Sequence, residues 1–365
     1  MKRYNVGIVG CGNISGIYFK NMTTLFARQL NVVACTDIDP TAAEAMAAEF
    51  PGVKAVSYDE MLADPAIDIV VNLTVPKAHF DVALAAVNAG KHVYGEKPMT
   101  LALDESRTLL EAARKKSVRI SNAPDTFLGA AHQTCRKLID DGAIGKPVSA
   151  TAFMLCRGHE TWHPNPEFHY QPGGGPMFDM GPYYLTALVN MLGPVSRVSG
   201  STRINFPVRT ITSEKKYGQK IQVEVPTHVT GVLDFAAGAI ATITTSFDVY
   251  AHRLPFIEIH GSAGSLAVPD PNHFGGEVQI WTPEQPEWTT VAHTHPYSEN
   301  SRGIGVADMA AAIDAGTDHS ASGQLACHVL EIMHTIHTAS TRGRHIMLQS
   351  SCGRPPVQPQ KSRWE

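Results

Sequence analysis

Long apolar runs are missing from this chain of 365 residues, and none reaches the length of a membrane span. A bilayer-spanning helix is therefore not expected. Basic runs are missing as well, and the net charge is −4. That argues against nucleic acid as the main partner. The six cysteines (Cys11, Cys35, Cys135, Cys156, Cys327, Cys352) include no C-x-x-C pair. Such scatter fits reduced, structural thiols. Histidine is plentiful at 17 residues, but its spacings lack the H-E-x-x-H pattern. His334 and His337 stand three apart on an expected helix, and His293 and His295 fall in a loop, so no metal ion is expected. No internal repeat of roughly 20–50 residues occurs. Met1–Asn5 leads straight into a β-type run without a cleavage site, which makes the cytoplasm the expected compartment.

What is present describes an ordinary globular protein, with 43% hydrophobic and 18% charged residues. The length exceeds one typical core and implies two domains.

The apolar run Asn5–Val9 feeds Gly10-Cys11-Gly12-Asn13-Ile14-Ser15-Gly16, and a helix is expected over Ile17–Ala27. A strand, a glycine turn and a helix form a dinucleotide-binding arrangement. Gly10 permits the tight turn and Gly12 the approach of backbone to a pyrophosphate, with Asn13 and Ile14 leading into the helix N-terminus. The third glycine falls one place late, with Ser15 where G-x-G-x-x-G has glycine. A second strand, Asn31–Cys35, ends in Thr36-Asp37-Ile38-Asp39-Pro40. Asp37 lies 21 residues beyond Gly16, where a carboxylate accepts from ribose hydroxyls and repels a 2′-phosphate. NAD is thus expected over NADP. In the competing reading, Asp37 or Asp39 only caps the helix Thr41–Phe50.

Tyr58–Ala63 and Ala78–Ala89 read as helices around the buried strand Ile67–Leu73. Lys91–Tyr94 is then a short strand that stops at Gly95-Glu96-Lys97-Pro98. Proline biases Lys97 toward extended geometry at the carboxyl end of a strand, the edge where open α/β sheets bind ligands. A solvated surface lysine is the alternative there. The amphipathic helix Asp104–Lys116 and the strand Val118–Asn122 complete a doubly wound parallel sheet over 1–122.

Together, Val6–Gly16 and Glu96-Lys97-Pro98 resemble the glucose–fructose oxidoreductase, inositol dehydrogenase and rhizopine-catabolism (Gfo/Idh/MocA) family. The resemblance implies a two-domain, NAD(P)-dependent enzyme that moves hydride to or from sugars and polyols. It also implies that the loop Thr74-Val75-Pro76 packs along the cofactor, beside Glu96 and Lys97. His79, in the same stretch, is expected to start a helix rather than to catalyse.

From Ala123 onward the pattern changes. A helix is expected over His132–Asp141, and alternating strands over Val148–Cys156, Val195–Asn205, Thr227–Phe235, Ala239–Phe247, Phe256–His260 and Val278–Trp281. This makes an α+β domain over 123–354 with a large, mainly antiparallel open sheet. Helices Gly305–Ala315 and Gly323–Thr341 close it, with His328, Glu331 and His334 in packing or interdomain roles, and 355–365 reads as a disordered tail. By the resemblance, the open sheet face builds a homodimer or homotetramer.

Between the first two of these strands, Arg157–Gln171 is followed by Gly173-Gly174-Gly175 and an expected helix Pro176–Leu192, which Pro182 would kink. On one helix, Asp179 and Tyr183 share a face. The pair resembles the family's D-x-x-x-H signature with tyrosine for histidine, as in its glucose–fructose oxidoreductase branch. Bringing a phenol from pKa ~10 to ~7 takes roughly 4 kcal/mol, and Lys97 with the nicotinamide cation would supply it. The expected catalytic set is Lys97, Asp179 and Tyr183, with Arg157, Trp162 and His163 lining a sugar pocket. In competing readings, His163 or His169 is the acid–base group, Tyr183 is a packed aromatic, and Asp179 serves only a helix N-terminus. Two other functions stay open: glycoside cleavage through transient oxidation, and a non-catalytic sugar or NAD sensor.

Overall fold

Apolar strands alternating with amphipathic helices bury one face of each helix on a sheet, and the first part of the chain follows that rule. The computed structural model describes residues 2–360. It divides into two compact units, Met1–Ala130 with His295–Cys327 and Pro355–Glu365, and Ala131–Thr294 with His328–Arg354.

In the first unit the order is β1 (Tyr4–Val9), α1 (Ser15–Thr23), β2 (Leu30–Thr36), α2 (Pro40–Glu49), β3 (Lys54–Ala55), α3 (Tyr58–Ala63), β4 (Ile69–Asn72), α4 (His79–Asn88), β5 (His92–Gly95), α5 (Leu103–Lys116) and β6 (Ile120–Asn122). The sheet runs β3-β2-β1-β4-β5-β6, and every neighbouring pair is parallel. Val6, Ile8, Ile69, Val70 and Val71 are fully buried, as expected of strands covered on both faces. Local signals fix the helix ends. Ser57 and Glu60 form a capping box at α3. Asp104 and Glu105 open α5 and Arg114, Lys115 and Lys116 close it, complementing its dipole.

In the second unit lie α6 (Ala130–Asp140, beginning at the division), β7 (Pro147–Leu155), α7 (Pro176–Asp179), α8 (Gly181–Leu192), β8 (Val195–Arg203), β9 (Val208–Thr210), β10 (Lys220–Gln222), β11 (His228–Phe235), β12 (Ile240–Ser246), β13 (Ile257–Gly261), β14 (Ser265–Val268), β15 (Val278–Thr282) and β16 (Gln285–Val291). The chain ends with α9 (Ile304–Ala315) in the first unit, α10 (Gly323–Arg342), within which the division falls, and β17 (Ile346–Met347) in the second. The large sheet runs β16-β15-β14-β13-β7-β12-β11-β8-β17. Its neighbours are antiparallel except β7 with β12.

The division differs from the expected 1–122 and 123–354. The segment after β16 returns to the parallel sheet: Asn122 donates its N–H to the Ala321 carbonyl at 2.9 Å, and Ser121 Oγ to the same oxygen at 2.7 Å. Gln358, expected in a disordered tail, is 8% exposed and donates to Asp308 Oδ1 and Ser320 Oγ, each at 2.9 Å. Residues 361–365 of that tail lie outside the described residues.

The expected helix Pro176–Leu192 is broken. α7 ends at Asp179, Met180 lies between, and α8 begins at Gly181. Pro182 has no N–H to give to the Phe178 carbonyl, and its ring crowds that carbonyl. Asp179 and Tyr183 therefore stand on two successive helices rather than on one. Every residue of α8 is buried, so it has no polar side. His328 and Glu331 do pack: the Val195 N–H donates to His328 Nε2 at 3.1 Å, and Glu331 accepts from Gln349 and Ser350 N–H at 3.0 and 2.7 Å. Among the described residues no disulfide joins the cysteines, and no helix is long and apolar enough to cross a membrane.

Candidate active site

All six strands of the first unit point the same way, so the ends of β1, β2, β4 and β5 lie on one edge. The turn after β1 is pressed against the loop after β4. Gly10 has φ +100°, and a Cβ there would stand 2.7 Å from the Leu73 carbonyl and 2.9 Å from the Thr74 nitrogen. Only glycine meets both demands. Gly12 faces open space, and the N-terminus of α1 at Ile14 takes no side-chain cap, the Ser15 N–H turning back to the Gly12 carbonyl at 3.0 Å. These features fit a dinucleotide's pyrophosphate.

The two aspartates after β2 divide the roles that were open. Asp37 Oδ2 accepts from the Cys11 N–H at 2.7 Å, and its Oδ1 from the Asp39 N–H at 2.9 Å. Asp39, not Asp37, caps α2, accepting from the Thr41 N–H at 3.0 Å. Asp37 is thus fastened to the glycine turn. Thr74 Oγ1 donates to Asn72 Oδ1 at 2.7 Å, and Pro76 opens a 3-10 turn, Pro76–Ala78. His79 does begin α4, and its buried ring joins two loops, with Nδ1 at 2.6 Å from the Pro98 carbonyl and Nε2 at 3.0 Å from that of Thr74.

Beyond β5, Glu96 accepts from the Tyr18 hydroxyl at 2.7 Å and from the Lys97 N–H at 2.9 Å. Lys97 is half-buried, and its bond to Pro98 is cis. Tyr18 lies on α1, so the carboxylate ties the start of the fold to the lysine. Beneath it, Tyr94 Oη is 3.4 Å from Tyr18 Oη. Asp125 accepts from the Gly303 and Gly305 N–H groups at 2.9 and 3.1 Å. Burial pushes its carboxyl up to about 6. Sequence reasoning missed Tyr18 and Asp125, because neither belongs to a local motif.

In the second unit, Arg157–Gln171 folds over Asp179. His159 Nε2 lies 3.3 Å and His169 Nδ1 3.8 Å from Asp179 Oδ2. The two rings stack with centroids 3.7 Å apart. Trp162, 63% exposed, stands 5.1 Å from His159 and 5.3 Å from His163. His163 Nδ1 accepts from the Asn165 N–H at 3.0 Å, and partial burial holds the ring below its usual pKa. Asp179, Trp162, His163 and His169 are therefore gathered, together with His159, which sequence reasoning passed over. Arg157 is directed to other rings, its guanidinium 4.7 Å from Tyr250 and 5.4 Å from Phe206. Tyr183, 7% exposed, lies in the first turn of α8.

Family models match both units in sequence. The oxidoreductase family's NAD-binding Rossmann fold matches residues 4–123, and the GFO/IDH/MocA C-terminal domain residues 132–267. The chain belongs to the Gfo/Idh/MocA oxidoreductases. As in other Gfo/Idh/MocA proteins, the N-terminal sheet is an NAD-binding Rossmann fold.

Curated relatives include 1,5-anhydro-D-fructose reductase of Ensifer adhaerens, 29% identical over 59% of this chain and 61% of its own length. The scyllo-inositol 2-dehydrogenase (NAD(+)) of Bacillus subtilis is 28% identical over 72% of each chain. With an uncharacterized oxidoreductase of Schizosaccharomyces pombe the match spans only 53% of either chain. Two of these three matches thus cover less than two thirds of the relative's own length. A levoglucosan dehydrogenase in complex with NADH and L-sorbose superposes with a TM-score of 0.82 at 22% identity, over 95% of this chain and 99% of the other. That likeness establishes the fold.

Proposed function

We propose that the protein transfers a hydride between a CH–OH group of a sugar or polyol and NAD. The observation that carries the reading is the fastening of Asp37, the Gly10–Ile14 turn and the Glu96-Lys97 corner along one edge of the parallel sheet. Relatives named as reductases and dehydrogenases of anhydrosugars and inositols support it.

The chemistry that NAD would supply when bound there is the acceptance or return of the hydride. Gly10, Gly12, Asn13 and Ile14 would hold its pyrophosphate, Asp37 would accept from its ribose hydroxyls, and Thr74, Pro76 and Glu96 would shape the remaining wall. Lys97 donates to the reacting oxygen and stabilises negative charge on it. Tyr183 carries the proton to or from that oxygen, and Asp179 orients the substrate. Trp162 offers a flat apolar face to a sugar ring, with His163 at its edge and Arg157 at the outer rim. A homodimer or homotetramer in the cytoplasm belongs to the same proposal, supported by exposed apolar Val148 and Ile240 on the neighbouring strands β7 and β12.

The test is a screen of sugars, inositols and glycosides with NAD⁺ and NADP⁺, following absorbance of the reduced nicotinamide. Net reduction of NAD⁺ by at least one polyol or sugar is expected. Tyr183→Phe should then lower kcat by about 100-fold or more, the usual worth of a general acid–base group. Full activity of that variant, with loss in His163→Ala instead, would move the proton-transfer role to the histidine. No redox turnover with any substrate would overturn the reading.

A further inference from the structure

We infer that His159, His169 and Asp179 form a site for one divalent transition-metal cation of the zinc class. Their ligand-capable atoms lie within 4.8 Å of one another, all in the second unit. The side chains are 12%, 9% and 17% exposed, so the site is sheltered from bulk solvent. Ten residues separate each from the next, and for that reason no local motif announced it.

The distances favour a cation over a hydrogen-bonded triad. A charge-assisted bond between imidazole and carboxylate closes to about 2.7–2.9 Å. The observed separations from Asp179 Oδ2 are 3.3 and 3.8 Å. Ligands held ~2.0–2.1 Å from a tetrahedral centre lie ~3.3 Å from one another. The carboxylate therefore stands from both rings at nearly the separation expected of ligands sharing one ion. His159 Nε2, the ring atom that faces the carboxylate, stands too far from it for a strong hydrogen bond. The other ring nitrogen, Nδ1, is buried and has no hydrogen-bond partner in the protein.

Chemistry selects the class of ion. Two imidazoles and one carboxylate suit zinc, cobalt or iron, whereas magnesium and calcium prefer all-oxygen sets. Three protein ligands leave a position for water or an external oxygen ligand. The rings are 19° from parallel, so they must fan apart by rotation for both lone pairs to converge on the ion. The remaining wall is aromatic, with Trp162 at 5.1 Å and Phe247 at 4.7 Å from the His159 ring.

The test needs neither substrate nor NAD, so it succeeds or fails apart from the hydride-transfer reading. Full-length protein is stripped with a chelator, dialysed against ZnCl₂ and then metal-free buffer, and its zinc measured by elemental mass spectrometry. About one zinc per chain is expected, with a rise in melting temperature on adding zinc to stripped protein. His159→Ala and His169→Ala should retain none and show no rise, while His293→Ala, on an exposed loop, should retain the full amount. The nearly isosteric His169→Gln, checked by circular dichroism, guards against misfolding and should also lose the metal. Failure of stripped wild-type protein to take up zinc or cobalt, or equal uptake by wild type and the site variants, would overturn the inference.

Discussion

The hydroxyl of Tyr18, on the first helix, donates to the carboxylate of Glu96, 78 residues away, at 2.7 Å. Because Glu96 also accepts from the Lys97 N–H, the bond positions the lysine corner through a residue that need not touch any ligand. Tyr18 is fully buried, so Tyr18→Phe leaves a sheltered carboxylate oxygen short of a donor. The expected loss is about 1.5–3 kcal/mol, the range for hydrogen bonds to charged groups. It should appear as a lowered urea midpoint with unchanged slope. An unchanged midpoint would mean that water replaces the phenol.

Asp37 and Asp39 stand two residues apart with separate duties, which makes them a matched pair for mutagenesis. Removing a charged acceptor of the ribose should raise KM for NAD⁺ by roughly 10–100-fold, the equivalent of about 1.5–3 kcal/mol. Asp37→Ala should do this and narrow the preference for NAD⁺ over NADP⁺. Asp39→Ala should leave both cofactor constants alone and lower thermal stability modestly through the lost cap of α2. Initial rates against each cofactor separate the outcomes. Equal effects from the two variants would show that Asp37 acts only through the turn it fastens.

The parallel sheet was legible because buried strands, glycine turns and amphipathic helices repeat at short range, and the strand expected at Lys91–Tyr94 lies one residue along, at His92–Gly95. The edge strand β16 (Gln285–Val291) escaped notice because its residues are mostly exposed and its apolar alternation is weak. The break at Met180 was only half visible. Pro182 announces a kink, but where the hydrogen-bond ladder parts depends on the preceding carbonyls. In the site, Gly10, Asp37 and Lys97 follow local spacing rules, whereas Tyr18, Asp125 and His159 acquire their roles through contacts distant in sequence. Side-chain burial decides those contacts, and no window along the chain contains it.

Asp125 offers a pH test with a definite sign. Its native carboxyl titrates near 6, against an ordinary value of 3.8, mainly because burial disfavours the charge. The native state therefore holds the extra proton between roughly pH 4 and 6, and stability falls as pH rises through that window. At ~1.4 kcal/mol per pH unit the penalty reaches about 3 kcal/mol above it. Asp125→Asn keeps an oxygen for the Gly303 and Gly305 N–H groups. The variant should be more stable than wild type at pH 8, by up to about 3 kcal/mol, and lose that advantage near pH 4. Denaturant melts at both pH values check this. A gain at acid pH only would reverse the assigned sign.

Arg209, on β9, underlies the histidine-bearing segment. Its Nη1 donates to Glu160 Oε1 at 2.7 Å and to the Phe247 carbonyl at 3.1 Å, while Nη2 pairs with Asp248. The Tyr170 hydroxyl donates to the other Glu160 oxygen, and Glu160 directly follows His159. The side chains of Arg209, Glu160 and Asp248 are 1%, 2% and 6% exposed, so solvent does little to screen them. Removing the cation leaves buried Asp248 to the neutral donors Asn205 and Thr227, and buried Glu160 to the Tyr170 hydroxyl and to Arg157 Nε at 3.8 Å; breaking such a network costs about 3–5 kcal/mol. Arg209→Met should therefore lower the urea midpoint sharply. Adding Glu160→Gln and Asp248→Asn should recover much of the loss, because the stranded charges account for most of it. If Arg209→Met alone were as stable as wild type, the carboxylates would be protonated or hydrated in the variant. If the triple variant recovered nothing, the arginine would act through packing beneath His159 rather than through its charge.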